Sequence, residues 1–146
     1  MKNFTKRLLS GILALIMISG LLCTVASANV KSSEYLDAYR VVLTPGSNGA
    51  MTITVQVTGV GYMPELGAKA IYLYESTDRK NFHLIESYDC EDYPIMMGSG
   101  TVYYEDIVTF TGTPGYYYMA TAYVYAGDGT GGDTRSVDSS IKLARA

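Results

Sequence analysis

The stretch MTITVQVT, residues Met51–Thr58, decides the fold because apolar and polar side chains alternate along it without a break. The apolar members share one face of an extended chain: Met51, Ile53, Val55 and Val57. A repeat of two residues is that of a β-strand, whereas a helix brings apolar residues together every three or four positions. The segment therefore predicts a strand with one buried and one hydrated face.

Six further strands are predicted on either side of this segment, because similar apolar and aromatic stretches are separated by residues that favour turns. They are Tyr35–Thr44, Ala68–Glu75, Phe82–Tyr88, Thr101–Phe110, Tyr116–Tyr125 and Thr134–Leu143. The longer intervals, Gly59–Gly67 and Asp89–Gly100, contain proline and glycine and are predicted loops. Seven short strands without a helical segment predict an all-β protein with a single β-sandwich. Ten side chains are expected in its core: Met51, Ile53, Val55, Val57, Ile71, Leu73, Val108, Phe110, Tyr118 and Ala122.

The first 28 residues have the composition of a secretory signal peptide. Three basic residues lie within the first seven positions, an apolar run covers Leu8–Leu22, and Ala26-Ser27-Ala28 fits a cleavage site. We therefore expect residues 1–28 to be removed, residues 29–146 to form the sandwich domain, and the product to be secreted into the extracellular space. The alternatives are an uncleaved anchor, for which the run is shorter than the roughly 20 residues of a membrane span, and a lipoprotein attached through Cys23.

Charge and cysteine content restrict the partners and the means of stabilisation. Residues 29–146 carry eight basic and fourteen acidic side chains, a net charge of −6 with His83 neutral. Because a negative surface repels phosphate backbones and anionic lipids, neither nucleic acid nor, after signal cleavage, a membrane is an expected partner. Cys90 is the only cysteine after the signal, so the domain has no intramolecular disulfide and depends on its apolar core.

Two parts of the chain resemble fibronectin type III domains of the immunoglobulin-like class. Ile71–Asp78 and the following Asn81–Ile85 are similar to the third strand and next hairpin of that family. Phe110, Pro114-Gly115 and Tyr116 resemble its corner, where a tyrosine hydroxyl binds the backbone of the preceding turn, although the Pro-Gly pair lies two places later than usual. The resemblance implies a seven-stranded sandwich of this type. Two further stretches are Tyr35-Leu36-Asp37-Ala38-Tyr39 and Gly115-Tyr116-Tyr117-Tyr118. In these the precursor as a whole resembles small secreted single-domain proteins of Gram-positive bacteria, which implies a setting but no activity.

The sequence contains few residues that could carry out catalysis. His83 and Cys90 could in principle form a base and a nucleophile, but no orienting third group or oxyanion loop accompanies them. Acidic residues cluster at Asp89–Asp92 and again at Asp128 and Asp133, without the spacing of a known calcium loop. We therefore expect no enzyme activity, no metal site and no cofactor.

The positions of the tyrosines are the most informative feature of the sequence about a binding surface. If Ile71, Leu73 and Tyr118 face the core, five tyrosines share the outer face of neighbouring strands: Tyr72, Tyr74, Tyr117, Tyr123 and Tyr125. Such rings suit protein interfaces and stacking on sugars, but they also stabilise sheets as cross-strand pairs. The leading hypothesis is a non-enzymatic module that binds an extracellular protein or glycan through these five residues. The alternatives are a carbohydrate-binding module and an extracellular hydrolase with an unrecognised site.

Overall fold

The computed structural model describes residues 33–146, which form nine β-strands and one short 3₁₀ turn. The strands are β1 (Leu36–Pro45), β2 (Ala50–Met63), β3 (Glu65–Ser76), β4 (His83–Asp89), β5 (Met97–Gly98), β6 (Thr101–Thr111), β7 (Tyr117–Gly127), β8 (Gly132–Asp138) and β9 (Lys142–Leu143), and the 3₁₀ turn is Pro94–Met96. No helix in this part of the chain is long and apolar enough to cross a membrane. The signal-peptide prediction concerns residues 1–28, which lie outside the described residues.

The strands form two antiparallel sheets. One sheet has the order β1-β2-β6, and the other has the order β4-β3-β7-β8, with β5 paired to β3 and β9 paired to β7. The all-β prediction is confirmed, and two such sheets are the layers expected of a β-sandwich. Seven strands have seven or more residues, whereas β5 and β9 have two residues each.

The prediction of a loop at Gly59–Gly67 was wrong, because most of these residues belong to strands. β2 continues through Met63 and β3 starts at Glu65, so only Pro64 separates them. The pairing of β2 with β6 shifts register between Thr58 and Met63. Such an irregularity interrupts the two-residue alternation of side chains, and a pattern-based prediction therefore ends the strand too early.

The core lies between the sheets and agrees with the prediction except on β6. Eight of the ten predicted side chains are buried: Met51, Ile53, Val55, Val57, Ile71, Leu73, Tyr118 and Ala122. Val108 and Phe110 are only half-buried, although both pack against the core. The reason is that β6 is an edge strand, so no neighbouring strand covers its free edge.

The corner before β7 is held by Tyr118, and the prediction that Tyr116 has this role was wrong. The buried Tyr118 hydroxyl accepts a hydrogen bond from the Thr113 backbone N–H at 2.8 Å and donates one to the Glu75 carboxylate at 3.2 Å. A Cβ atom at Gly112 would lie 2.8 Å from the Tyr118 ring, so glycine is required there.

Candidate functional site

The five predicted tyrosines lie on the outer face of the sheet that contains β3 and β7. Their neighbours along β3 and β7, such as Ile71 and Ala122, are buried on the opposite face. The side chain of Tyr123 is 41% exposed, and the other four are half-buried. We refer to Tyr72, Tyr74, Tyr117, Tyr123 and Tyr125 as the outer tyrosine face.

Strand register arranges the outer tyrosine face along the middle of the sheet. Tyr72 pairs with Thr121 and Tyr74 pairs with Met119, so Tyr123 and Tyr117 lie at diagonal positions beyond the two ends of this central block. From Tyr123 to Tyr117 the outer tyrosine face is about 20 Å long, because six residues of strand advance about 3.3 Å each. The rings of Tyr72 and Tyr123 meet edge to face, with centroids 5.7 Å apart and planes at 83°. A rigid sheet therefore holds these two rings in a fixed geometry.

Tyr125 differs from the other members because its ring packs on the β7–β8 hairpin. The Lys69 ammonium lies 3.7 Å from the ring centroid, a cation–π contact that covers one side of the ring. A Cβ atom at Gly127 or Gly132 would lie within 2.4 Å of the Tyr125 hydroxyl oxygen. Burial, followed by the nearby Glu65 carboxylate, raises the pKa of Tyr125. These contacts give Tyr125 a structural role in fixing the hairpin.

Polar side chains flank the outer tyrosine face on both sides. On β8, Ser136 pairs with Tyr123 and Asp138 pairs with Thr121, whose hydroxyl donates a hydrogen bond to the Asp138 carboxylate at 2.6 Å. On β4, Ser87 lies opposite Tyr72. An aromatic centre with hydroxyl and carboxylate groups at its margins is the composition of an interface with an apolar middle and a polar rim.

The two residues considered for nucleophilic catalysis do not come together. His83 begins β4, and Cys90 follows the end of that strand. Seven residues of extended chain separate them by about 23 Å. Burial raises the pKa of the Cys90 thiol, with the Asp89 and Glu91 carboxylates adding to the effect. The thiol form is a poor nucleophile, so this cysteine has the environment of a structural residue.

Two of the acidic residues considered for calcium, Asp89 and Asp128, accept hydrogen bonds within their own turns. Asp128 accepts hydrogen bonds from the N–H of Thr130 at 2.9 Å, from its hydroxyl at 2.8 Å, and from the N–H of Gly131 at 3.0 Å. Asp133 accepts one from the Ser33 hydroxyl at 2.6 Å, and Asp89 accepts one from the Glu91 N–H at 2.9 Å. Within residues 33–146, no three His, Cys, Asp or Glu side chains are grouped to hold a metal ion. The Asp128 carboxylate therefore orders the turn that connects β7 and β8.

Sequence analysis missed a groove on the open side of β6. It has a volume of about 260 Å³, and its lining includes Tyr88, Tyr93, Ile95, Asp106 and Val108. The signal that could have revealed it is the position of Asp106, a charged residue on the inward side of β6 two places before Val108. A carboxylate at a position that should be apolar marks a place where the core is open.

Comparisons with known proteins add no assignment to this geometry. No protein-family model matches the chain, and no match is found among curated proteins or among solved structures. The function is therefore inferred from the arrangement of the chain's own residues.

Proposed function

We propose that the protein is a secreted, non-enzymatic module that binds a partner protein through the outer tyrosine face. The observation that carries the proposal is the fixed pair of Tyr72 and Tyr123, whose rings are available on a sheet rather than on a loop. Aromatic side chains that are already ordered lose little conformational entropy on binding, and they are frequent among the residues that dominate interface energetics. The composition of residues 1–28 supports secretion.

Secreted binding modules are commonly sandwiches, and we propose that this one is of the fibronectin III type. In the constant-type immunoglobulin arrangement the fourth strand joins the sheet of the first two strands. Here β4 pairs with β3 instead, in the sheet of β7 and β8. The β3–β4 hairpin contains the residues that resemble the third strand and next hairpin of fibronectin III domains, and the Tyr118 corner adds a second supporting feature.

A protein partner is favoured over a glycan by the orientation of the rings. Stacking on a sugar needs ring faces that point into solvent. The edge-to-face contact between Tyr72 and Tyr123 directs one ring toward the other, so part of this aromatic surface is already used. A glycan ligand is the second candidate. The observation that favours it is the hydroxyl group of Ser136 and the carboxylate of Asp138 beside the outer tyrosine face.

The proposal is tested by capturing partners from culture medium with the immobilised protein and measuring affinity for each purified partner. The double variant Tyr74→Ser with Tyr123→Ser should weaken binding at least about 30-fold, because two aromatic anchors contribute roughly 1 kcal/mol or more each. The matched control, Tyr62→Ser with Tyr103→Ser, removes two exposed tyrosines elsewhere and should leave affinity unchanged.

Three other results would contradict the proposed function. Equal affinities for the double variant and its control would place the site elsewhere. Specific glycan binding that is lost in Tyr72→Ala or Tyr123→Ala would favour the carbohydrate-binding alternative. Reproducible turnover of peptide, ester or glycoside substrates by the pure protein would establish the hydrolase alternative.

A further inference from the structure

The outer side of the sheet β1-β2-β6 is a surface that the proposed function does not use. Side chains on this side alternate with the core residues of β2, so Thr54 and Gln56 are half-buried while Ile53 and Val55 are buried. Two rows of side chains cross its centre, and the register of the three strands fixes their members. We refer to this surface as the β2 face, and its central rows are Arg40, Gln56 and Glu105, and Val42, Thr54 and Ile107.

A chain of hydrogen bonds holds the two charged residues of the β2 face. The Arg40 guanidinium donates to the Gln56 side-chain carbonyl, and the Gln56 amide donates to the Glu105 carboxylate. The Tyr103 hydroxyl donates to the same carboxylate at 2.9 Å. The hydrogen bonds from Gln56 and Tyr103 lower the pKa of Glu105, so this residue is charged at neutral pH. A positive group therefore lies at one margin of the row, on β1, and a negative group at the other, on β6.

The neighbouring row has an aliphatic residue at each margin. Val42 and Ile107 are 37% and 57% exposed, and Thr54 lies between them. The four rows in register with Ala38–Thr44 contain one positive and one negative side chain on the outer side. The centre of the β2 face therefore has no net charge, whereas residues 29–146 as a whole carry a net charge of −6. Two copies of the chain can approach through this surface without the repulsion expected of such an acidic protein.

We propose that the β2 face binds a second copy of this chain in a two-fold symmetric dimer. A half-turn about an axis parallel to β2, placed between the copies, puts β1 of each copy over β6 of the other. Because the members of one row lie at the same height, Arg40 then meets Glu105 of the second copy, and Val42 meets Ile107 of the second copy. Two-fold symmetry forms each contact twice. The charge pattern and the apolar pattern of the β2 face are thus both self-complementary.

An axis across the strands would not give this match. It would put Arg40 over Val42 of the second copy and Glu105 over Ile107 of the second copy. Both charges would then lose water without gaining an oppositely charged partner, which is costly. Sheets that pack face to face lie about 10 Å apart with their strands nearly aligned, and the axis parallel to β2 provides this alignment. Charge complementarity therefore selects one arrangement of the second copy.

The size of the β2 face predicts a weak dimer. Three strands about 4.8 Å apart, each in register over about 20 Å, cover roughly 300 Å² in projection. Stable interfaces bury about 800 Å² per partner, so we expect a dissociation constant of about 10 μM to 1 mM. The dimer does not depend on the proposed function, because the outer tyrosine face lies on the other sheet. One consequence does rest on that function: the two outer tyrosine faces point away from each other, so one dimer links two partner molecules.

The same residues could instead serve only to stabilise their own sheet. Cross-strand polar groups such as Arg40, Gln56 and Glu105 have that effect, and valine and isoleucine are frequent in strands. That interpretation predicts a monomer at every concentration. The two interpretations therefore differ in self-association and in its response to charge reversal.

The test is sedimentation equilibrium of protein produced from the full-length sequence, at concentrations up to about 1 mM. Reducing buffer prevents Cys90 from linking two copies. We expect a monomer–dimer equilibrium that Arg40→Glu and Glu105→Arg each weaken at least ten-fold, because each variant brings like charges together at both margins. The controls Lys80→Glu and Glu86→Arg make the same changes in net charge at exposed positions of the β3–β4 hairpin, and they should leave the dissociation constant unchanged.

Mixing the two single variants gives the sharpest measurement. One copy then has two acidic residues at positions 40 and 105 and the other has two basic ones, so every charged contact of a mixed dimer is attractive. The mixture of Arg40→Glu with Glu105→Arg should associate at least ten-fold more tightly than either variant alone. The double variant should recover the association of the wild type. The mixture of Lys80→Glu with Glu86→Arg has the same net charges and should show no such gain.

An apolar variant keeps the proposal testable if a charge variant does not fold by circular dichroism. Val42→Thr with Ile107→Thr should weaken association at least ten-fold, because it removes the aliphatic contacts and retains the charges. The proposal is overturned if the wild type is a monomer throughout, if the mixed charge variants associate no more tightly than the mixed controls, or if these variants dimerise as the wild type does. A monomeric wild type whose Tyr103 is protected by a captured partner would assign the β2 face to that protein instead.

Discussion

Removal of one hydroxyl group, in Tyr118→Phe, tests how the corner before β7 is held. The ring stays in the core, so the change isolates the hydrogen bonds to Thr113 and Glu75. Leaving the Thr113 N–H without an acceptor in a partly buried place costs about 1–3 kcal/mol. We therefore expect the free energy of unfolding to fall by about 2 kcal/mol. For a domain of this size, with an unfolding entropy of about 0.24 kcal/mol per kelvin, that lowers Tm by about 8 °C.

The measurement is thermal and urea unfolding followed by circular dichroism, with Tyr116→Phe as the matched control. Tyr116 is half-buried, and its hydroxyl makes no hydrogen bond within residues 33–146, so its loss should change stability by less than about 0.5 kcal/mol. Equal destabilisation by the two variants, or a larger loss from Tyr116→Phe, would refute the assignment of Tyr118 as the corner tyrosine.

Three further perturbations test the core, a turn and the β7–β8 loop. Val55→Asp should lower the free energy of unfolding by more than about 4 kcal/mol, because it buries a carboxylate at the position that pairs directly with Asp106 across β2 and β6. A native circular dichroism spectrum for this variant would contradict the core assignment. Asp78 has a lowered pKa because it accepts backbone N–H bonds from Asn81 and Lys80, so its contribution to stability is fully present at neutral pH and is lost as the pH falls below about 4. The Tm difference between wild type and Asp78→Ala should therefore be largest at neutral pH, and a difference that grows in acid would contradict the turn. Replacing Asp128–Gly131 by Asn-Gly should leave the fold and the affinity for a captured partner unchanged, whereas loss of that affinity would move the binding surface to the loop.

The strands could be predicted from the sequence where one face is buried and the other is hydrated. Met51–Thr58 is such a segment, and its apolar residues are all buried in the structure. The alternation fails where the register shifts, and this is why the ends of β2 and β3 were missed. Their extent depends on pairing with distant strands, which is a tertiary effect that no local pattern contains.

The candidate site could be predicted in part for the same reason. The outer position of Tyr72 and Tyr123 follows from alternation, but their edge-to-face contact depends on the register between β3 and β7. The structural role of Tyr125 depends on Lys69 and on two glycines of the hairpin, which meet it only in the folded sheet. The groove was missed because its lining comes from β4, the 3₁₀ turn and β6, which are distant in sequence and become neighbours only in the folded structure.

Hydroxyl-radical footprinting of the complex with a captured partner tests the proposed binding surface most directly. Labelling of each tyrosine is measured by mass spectrometry with and without the partner. We expect partner binding to reduce labelling of Tyr74 and Tyr123 on the outer tyrosine face, while Tyr62 and Tyr103, exposed elsewhere, are labelled as in the free protein. Protection of Tyr62 or Tyr103, with Tyr74 and Tyr123 labelled as before, would contradict the proposal that the outer tyrosine face binds the partner.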